Sequence, residues 1–198
     1  MKKVIALLSL CFVVALVSFT SVNNKKLIVI DAGHGGHDHG ATFEDLKEKE
    51  IVSQIAKKIY EYNDPSTVEI VLLRDADEFV SLQDRITKIN ELNPDLVLSL
   101  HVNQSKNREA NGLEVFVSEK NPQYQLSETY AQKILMHQNP IKLEQRGIKK
   151  ASFLLLRESK AAAVTLELGF ISNESDKNYL TSEEGQDEIA QSILKSLQ

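Results

Sequence analysis

Two histidines, each at the end of an apolar run, are the residues of this chain best placed to do chemistry. Leu27-Ile28-Val29-Ile30 leads into Asp31-Ala32-Gly33-His34-Gly35-Gly36, and Asp95-Leu96-Val97-Leu98-Ser99-Leu100 leads into His101. Ligands of α/β sheets sit just outside the carboxyl ends of the strands, so both imidazoles fall where a site is usually built. A strand-end histidine is also a common hydrogen-bonded structural residue, but two at equivalent edges of one sheet favour a shared ligand. A catalytic zinc takes three protein ligands, often two histidines and a glutamate, and keeps a fourth position for water. The helix start Lys47-Glu48-Lys49-Glu50-Ile51 supplies two carboxylates, although acids favour the first turn of any helix through its macrodipole. His34, Glu48 and His101 fit the count.

Glu167 is harder to explain structurally. It lies between Leu166 and Leu168 in a strand-like run, where a carboxylate is costly to bury unless it is paired or working. Desolvation raises the pKa of such a group, which suits a general acid or base beside a metal. Burial against Arg74 or Arg157 is the competing account. His37 and His39 occupy a polar loop near His34 and read as a surface pair, and His137 reads as a solvated residue late in a helix.

The glycines around His34 do not form a nucleotide loop. A dinucleotide fingerprint beginning at Gly33 and Gly35 needs a third glycine where Asp38 stands. A phosphate loop from Gly35 to Gly40 needs a lysine next and finds Ala41. They let the backbone turn and leave room beside the imidazole.

The elements that must position these residues alternate. Leu27 to Ile30 reads as a strand. Ile51, Ile55, Ile59 and Tyr62 recur at helical spacing, stopped by Asn63-Asp64-Pro65-Ser66. Val68 to Leu73 is a second strand. Ser81-Leu82-Gln83-Asp84 resembles a capping box and opens a helix to about Leu92, closed by Asn93-Pro94. Asp95 to His101 is a third strand and Leu113 to Ser118 a fourth. Gln123 to about Gln138 reads as helix, Ser152 to Leu156 as a short strand, Ala162 to Leu168 as the last strand, and Glu183 to Leu197 as a closing helix. This alternation predicts one α/β domain, a three-layer sandwich with a mainly parallel (mixed) central sheet flanked by helices.

Composition narrows the functional classes. The 198 residues are 42% hydrophobic, enough for one full core. The single cysteine excludes a disulfide framework and a cysteine-based zinc site. Lys and Arg number 23 against 28 Asp and Glu, a formal charge of −5 that argues against nucleic acid as a partner. Lys2 and Lys3 precede an apolar run from Val4 to Phe19 and then a polar stretch, the pattern of a secretory signal over residues 1–22. The run is slightly short for a spanning helix of about 20 residues, and an uncleaved anchor is the alternative. Cleavage would remove Cys11 and both lysines, moving the charge from −5 to −7.

Several of these segments occur in an order that resembles a known family. Asp31-Ala-Gly-His34-Gly-Gly, Glu48-Lys49-Glu50-Ile51, Ser99-Leu-His101-Val-Asn103 and Glu167-Leu-Gly-Phe-Ile-Ser-Asn173 are similar to the motifs of zinc-dependent N-acetylmuramoyl-L-alanine amidases of the amidase 3 family. Phe79-Val-Ser-Leu82 with Arg85, and Arg146-Gly-Ile-Lys149 with Phe153 to Arg157, match its connecting segments. The similarity spans residues 27–198, which implies that this stretch is the catalytic domain. The chain departs from the family at Ala161-Ala162-Ala163, where proline is common, and the way from His101 to Arg146 is too short for the inhibitory insertion some members carry.

The resemblance implies one zinc held by His34, Glu48 and His101, with Glu50 as the fallback if the register slips by two, and Glu167 as catalytic acid/base. It implies hydrolysis of the amide between N-acetylmuramic acid and L-alanine in peptidoglycan, in the periplasm or cell-wall compartment, by a monomer. Asn103 and Arg157 are candidates to contact glycan or stem peptide, and a protein activator or tether is a candidate partner. The rival readings are a peptidoglycan-binding module without turnover, another exported zinc hydrolase such as a wall-polymer deacetylase, and an α/β small-ligand receptor.

Overall fold

The computed structural model describes residues 25–137 and 142–197. In chain order the elements are β1 (Lys26–Ala32), β2 (Thr42–Phe43), β3 (Leu46–Lys47), α1 (Glu48–Tyr62), β4 (Val68–Leu72), α2 (Leu82–Leu92), β5 (Leu96–Asn103), β6 (Leu113–Val117), α3 (Tyr124–His137), β7 (Gln145–Lys150), α4 (Leu154–Glu158), β8 (Ala162–Phe170), α5 (Glu174–Thr181) and α6 (Glu183–Leu197). The expected signal over residues 1–22, with Cys11, lies outside the described residues, as does Gln138. Among the described residues no helix is long and apolar enough to cross a membrane.

Six strands form one sheet in the order β4-β1-β5-β8-β6-β7. β1 pairs in parallel with β4 and β5, and β5 with β8. β6 runs antiparallel to β8 and parallel to β7, so the sheet is mixed, as expected. One expected element is corrected. Ser152 to Leu156 is not a strand; the chain is extended at Phe153 and then turns into α4. A short apolar run fits a buried helical turn as well as a strand, and here the turn packs Leu155 and Leu156 against the sheet.

Strand side chains alternate between the two faces, and that alternation builds both core and site. On one face Ile28, Ile30, Leu96, Leu98, Leu100, Val164 and Leu166 pack with Ile51, Ile55 and Ile59 of α1, Ile134 of α3, and Ile189 and Ile193 of α6. Each such side chain stabilises by roughly 1.5–3 kcal/mol when fully buried, so this layer is the main core. On the opposite face Val29, Val97 and Ala163 meet Ile89 of α2 and Leu155 and Leu156 of α4.

Two residues further along the same face, the character changes. Asp31, Ser99 and Thr165 stand in register on β1, β5 and β8, and after them His101 stands opposite Glu167. The smaller core thus becomes the floor of a polar site at the carboxyl ends of the parallel strands. Both ends of α2, whose first turn borders that site, are fixed. The Asp84 N–H donates to Ser81 Oγ (3.2 Å), and Asn93, left-handed at φ 48°, returns its N–H to the Ile89 carbonyl (3.0 Å).

Candidate metal centre and active site

After β1 the chain passes through three residues with positive φ: His34 at 59°, Gly35 at 126° and Gly36 at 58°. For a non-glycine residue this costs roughly 1–2 kcal/mol, so the surroundings must hold His34 in place. Two buried arginines do so. Arg74 donates to the carbonyls of Ala32 (2.9 Å), Gly33 (2.9 Å) and Lys49 (3.2 Å). Arg85 donates to the carbonyls of Ala32 and His34 and pairs with buried Asp31, whose other oxygen accepts from Ser99 Oγ at 2.7 Å. Lys49, also buried, donates to the Gly36 carbonyl (2.8 Å) and to Asp77 (2.6 Å). The loop carbonyls, which water would otherwise satisfy, are thus held by fixed cations.

His34 Nδ1 lies 2.8 Å from Asp38 Oδ2, and its Nε2 lies 3.2 Å from Glu48 Oε2. Glu48 opens α1 and is buried. Its Oε2 accepts from the Ala41 N–H (2.7 Å), and its Oε1 accepts from the Val102 N–H (3.0 Å) and faces His101 Nδ1 (2.9 Å). The carboxylate therefore bridges both imidazoles. Two glycines allow this crowding: a Cβ on Gly33 would lie 2.4 Å from the His101 ring, and one on Gly40 would lie 2.4 Å from Glu48 Oε2.

The electrostatics follow the geometry. Burial alone would lower the His34 pKa, but Glu48 and then Asp38 outweigh it and raise the imidazole to about 9. Burial opposes ionisation of Glu48, yet His101 and His34 hold it well below the usual carboxylate range. His101 is raised as well, burial again being outweighed by Glu48. The ligating atoms of His34, Glu48 and His101 all lie within 4.8 Å of one another. An acid shared between two imidazoles, with no cysteine among the described residues, is a donor set suited to a borderline cation such as zinc.

Glu167 faces this cluster from β8, in register with His101. Its Oε2 is buried and has no hydrogen-bond partner among the described residues. Burial pushes its pKa up to about 7; His101 opposes the rise, while Glu48 and Glu114 add to it. The arginines that offered a structural explanation are engaged elsewhere. Arg74 holds loop carbonyls, and Arg157 pairs with Glu158 (3.0 Å) and bonds the Ser152 carbonyl (3.1 Å).

A cleft of about 660 Å³ opens over the group, with His34, His101 and Glu167 at its floor and Phe79, Leu82 and Phe153 on its walls. Asn103 donates towards Glu114 at 3.5 Å, beside Glu167 rather than over the cleft. Arg157 sits on α4 and does not line the cleft. Glu50 is exposed and pairs with Lys47 at 3.2 Å, so the register favours Glu48. His37 stacks on Phe79 with ring centroids 4.2 Å apart, and His137 caps the end of α3 by bonding the Lys133 carbonyl. Sequence reasoning missed Asp38, Arg74 and Arg85 as positioning residues. For Arg85 there is a signal: it lies one position before Ile86 and four before Ile89, on the buried stripe of α2.

An acid-bridged histidine pair beside a buried, unpartnered carboxylate is the arrangement expected of a metal-assisted hydrolase. The chain belongs to the N-acetylmuramoyl-L-alanine amidase family, whose model matches residues 28–198. It is 36% identical over 174 residues to N-acetylmuramoyl-L-alanine amidase LytC of Bacillus subtilis (strain 168), covering 85% of this chain but only 34% of that protein. The catalytic domain of the amidase CwlV from Bacillus (Paenibacillus) polymyxa var. colistinus superposes with a TM-score of 0.79 at 31% identity, covering 86% of this chain and 95% of that one. The CwlD amidase of Clostridioides difficile, solved in complex with the GerS lipoprotein, superposes at 0.77 with 26% identity over 87% of this chain and 96% of that one.

Proposed function

We propose that the protein is a zinc-dependent N-acetylmuramoyl-L-alanine amidase that cuts the bond between the lactyl group of N-acetylmuramic acid and the L-alanine of the stem peptide. The observation that carries this reading is the convergence of the ligating atoms of His34, Glu48 and His101 within 4.8 Å, faced by Glu167, whose buried Oε2 has no partner among the described residues. Those three side chains would hold the zinc. Bound there, the ion supplies Lewis acidity and brings the pKa of a water to about 7.

The chain's own residues do the rest. Glu48, anchored by the Ala41 and Val102 N–H groups, keeps both imidazoles aimed at one point. Asp38 fixes the His34 ring through Nδ1, so His34 would meet the ion in a set orientation. Glu167, raised to about 7 by burial, takes a proton from the attacking water as the carbonyl is added to. It then delivers that proton to the amide nitrogen as the C–N bond breaks. The apolar walls Phe79, Leu82 and Phe153 suit the carbon faces of a sugar and exclude competing water.

An exported, wall-facing protein would fit this activity and the leader-like residues 1–22. A surface of net negative charge gains no long-range steering towards an acidic polymer. A recruiting partner, of the kind with which CwlD was solved, would meet that need. Mass spectrometry of material released from purified sacculi tests the reading. Intact stem peptides with a free L-alanine amine are expected. Release of acetate or shortened peptides instead would point to a deacetylase or a peptidase.

A further inference from the structure

One buried acid takes no part in the mechanism above. Glu114 on β6 stands in register with Glu167 on β8, so both side chains share the face that carries the site. Its Oε1 accepts from Arg146 Nε at 2.5 Å and from Lys149 Nζ at 2.6 Å, both on the neighbouring β7. The guanidinium is held further by a bond from Nη1 to the Asn111 carbonyl (3.1 Å) and by its place over the Phe170 ring (5.2 Å). Lys149 lies over the Phe116 ring at 6.0 Å, and Phe116 in turn packs on Phe153 of the cleft wall. Glu114 is almost fully buried, yet the side chains of Arg146 and Lys149 remain 34% and 41% exposed. One acid thus fixes two partly exposed cations two strands from Glu167, on a chain whose formal charge is −5.

We infer that Arg146 and Lys149, held side by side by Glu114, form the subsite for a carboxylate of the stem peptide and so set the direction in which substrate lies across the cleft. This rests on the amidase reading and adds a substrate determinant to it. The spacing fits. Neighbouring strands are about 4.8 Å apart, which puts β7 roughly 10 Å from β8. An extended peptide advances about 3.3–3.6 Å per residue, so a carboxylate on the second stem residue lies about 7 Å from the scissile amide. With the sugar against Phe79 and Phe153, the peptide would leave over Glu167 towards β7. A lysine and a half-exposed arginine sharing one acid suit an anion that must bind and then depart.

The test uses two muropeptides that differ only at the second stem residue, one with a free carboxylate and one with a carboxamide. The full chain is expected to prefer the acid by about tenfold in kcat/KM, chiefly through KM. Removing Lys149 or Arg146 alone strands part of the Glu114 charge, so two variants are compared. Lys149→Met keeps the Arg146–Glu114 pair, and Glu114→Gln/Arg146→Gln/Lys149→Met leaves no buried charge behind. Both should lower the acid-to-amide ratio, the triple variant to about one. An unchanged ratio in both variants overturns the inference, because a purely structural ion pair would slow both substrates alike. Calorimetric titration of the free stem peptide, as acid and as amide, reads the same preference without turnover. Should no hydrolysis occur at all, the amidase reading fails, and equal affinity of the unmodified chain for the two peptides would overturn the subsite separately.

Discussion

Arg85 of α2 donates through Nη2 to the backbone carbonyl of His34, the one histidine of the site that sits at positive φ. A residue 51 positions away in sequence therefore holds the strained backbone that aims an imidazole. Its other terminal nitrogen pairs with Asp31, so loop and sheet are tied through a single buried guanidinium. Arg85→Leu should cost about 3–5 kcal/mol, since Asp31 is left buried without its cation. It should also weaken zinc binding, because nothing then holds His34 in its turn. Urea denaturation and a zinc titration check both effects. A loss below about 1 kcal/mol with unchanged affinity would show that the loop holds itself.

Glu167→Gln should retain zinc and lose at least a hundredfold in hydrolysis, whereas His34→Ala and His101→Ala should lose both metal and activity. Metal content by plasma mass spectrometry, set beside turnover, separates the two groups of variants. Zinc loss in Glu167→Gln would place that acid among the ligands instead.

The same substitution carries a pH signature in the metal-free protein. Burial raises the folded-state pKa of Glu167 to about 7, above its ordinary carboxylate value. The stability it contributes is therefore complete below the unfolded pKa and is lost as pH rises through about 7. Relative to the parent chain, Glu167→Gln should become more stable between pH 5 and pH 8, by at most about 3 kcal/mol. Thermal melts of both metal-free proteins across that range check the sign; a variant that loses ground with rising pH would contradict it.

Two glycine substitutions should differ sharply. Gly40→Ala places a methyl group 2.4 Å from Glu48 Oε2 at a φ of 67°, so it should dislodge the carboxylate and abolish zinc binding. Gly147→Ala meets nothing within 4 Å at a φ of 81° and should cost only the backbone strain, about 1 kcal/mol. Equal zinc affinities in the two variants would remove the crowding argument.

Much of this site is readable from period and position alone. The apolar runs ending at His34 and His101, and the misfit carboxylate at Glu167, mark three adjacent strand ends because buried parallel strands carry few polar residues. Spacing alone does not separate Glu48 from Glu50; the family resemblance favours Glu48. Both lie in the first turn of α1, and only the fold shows that one faces the histidines while the other meets Lys47. β7 escaped notice because Gln145-Arg-Gly-Ile-Lys-Lys150 has no alternation: it is an edge strand, held by its parallel pairing with β6. The segment that forms α4 has the pattern of a strand because five residues are too few to separate the two periods. Arg74, Arg85 and Glu114 act across separations of tens of residues, which no local pattern encodes.

X-ray absorption at the zinc edge of the metal-loaded full chain reads the ligand set itself. Two imidazole nitrogens at about 2.0–2.1 Å are expected, with the remaining donors oxygen. A spectrum showing fewer than two imidazoles, or no stoichiometric zinc to measure, would contradict that set.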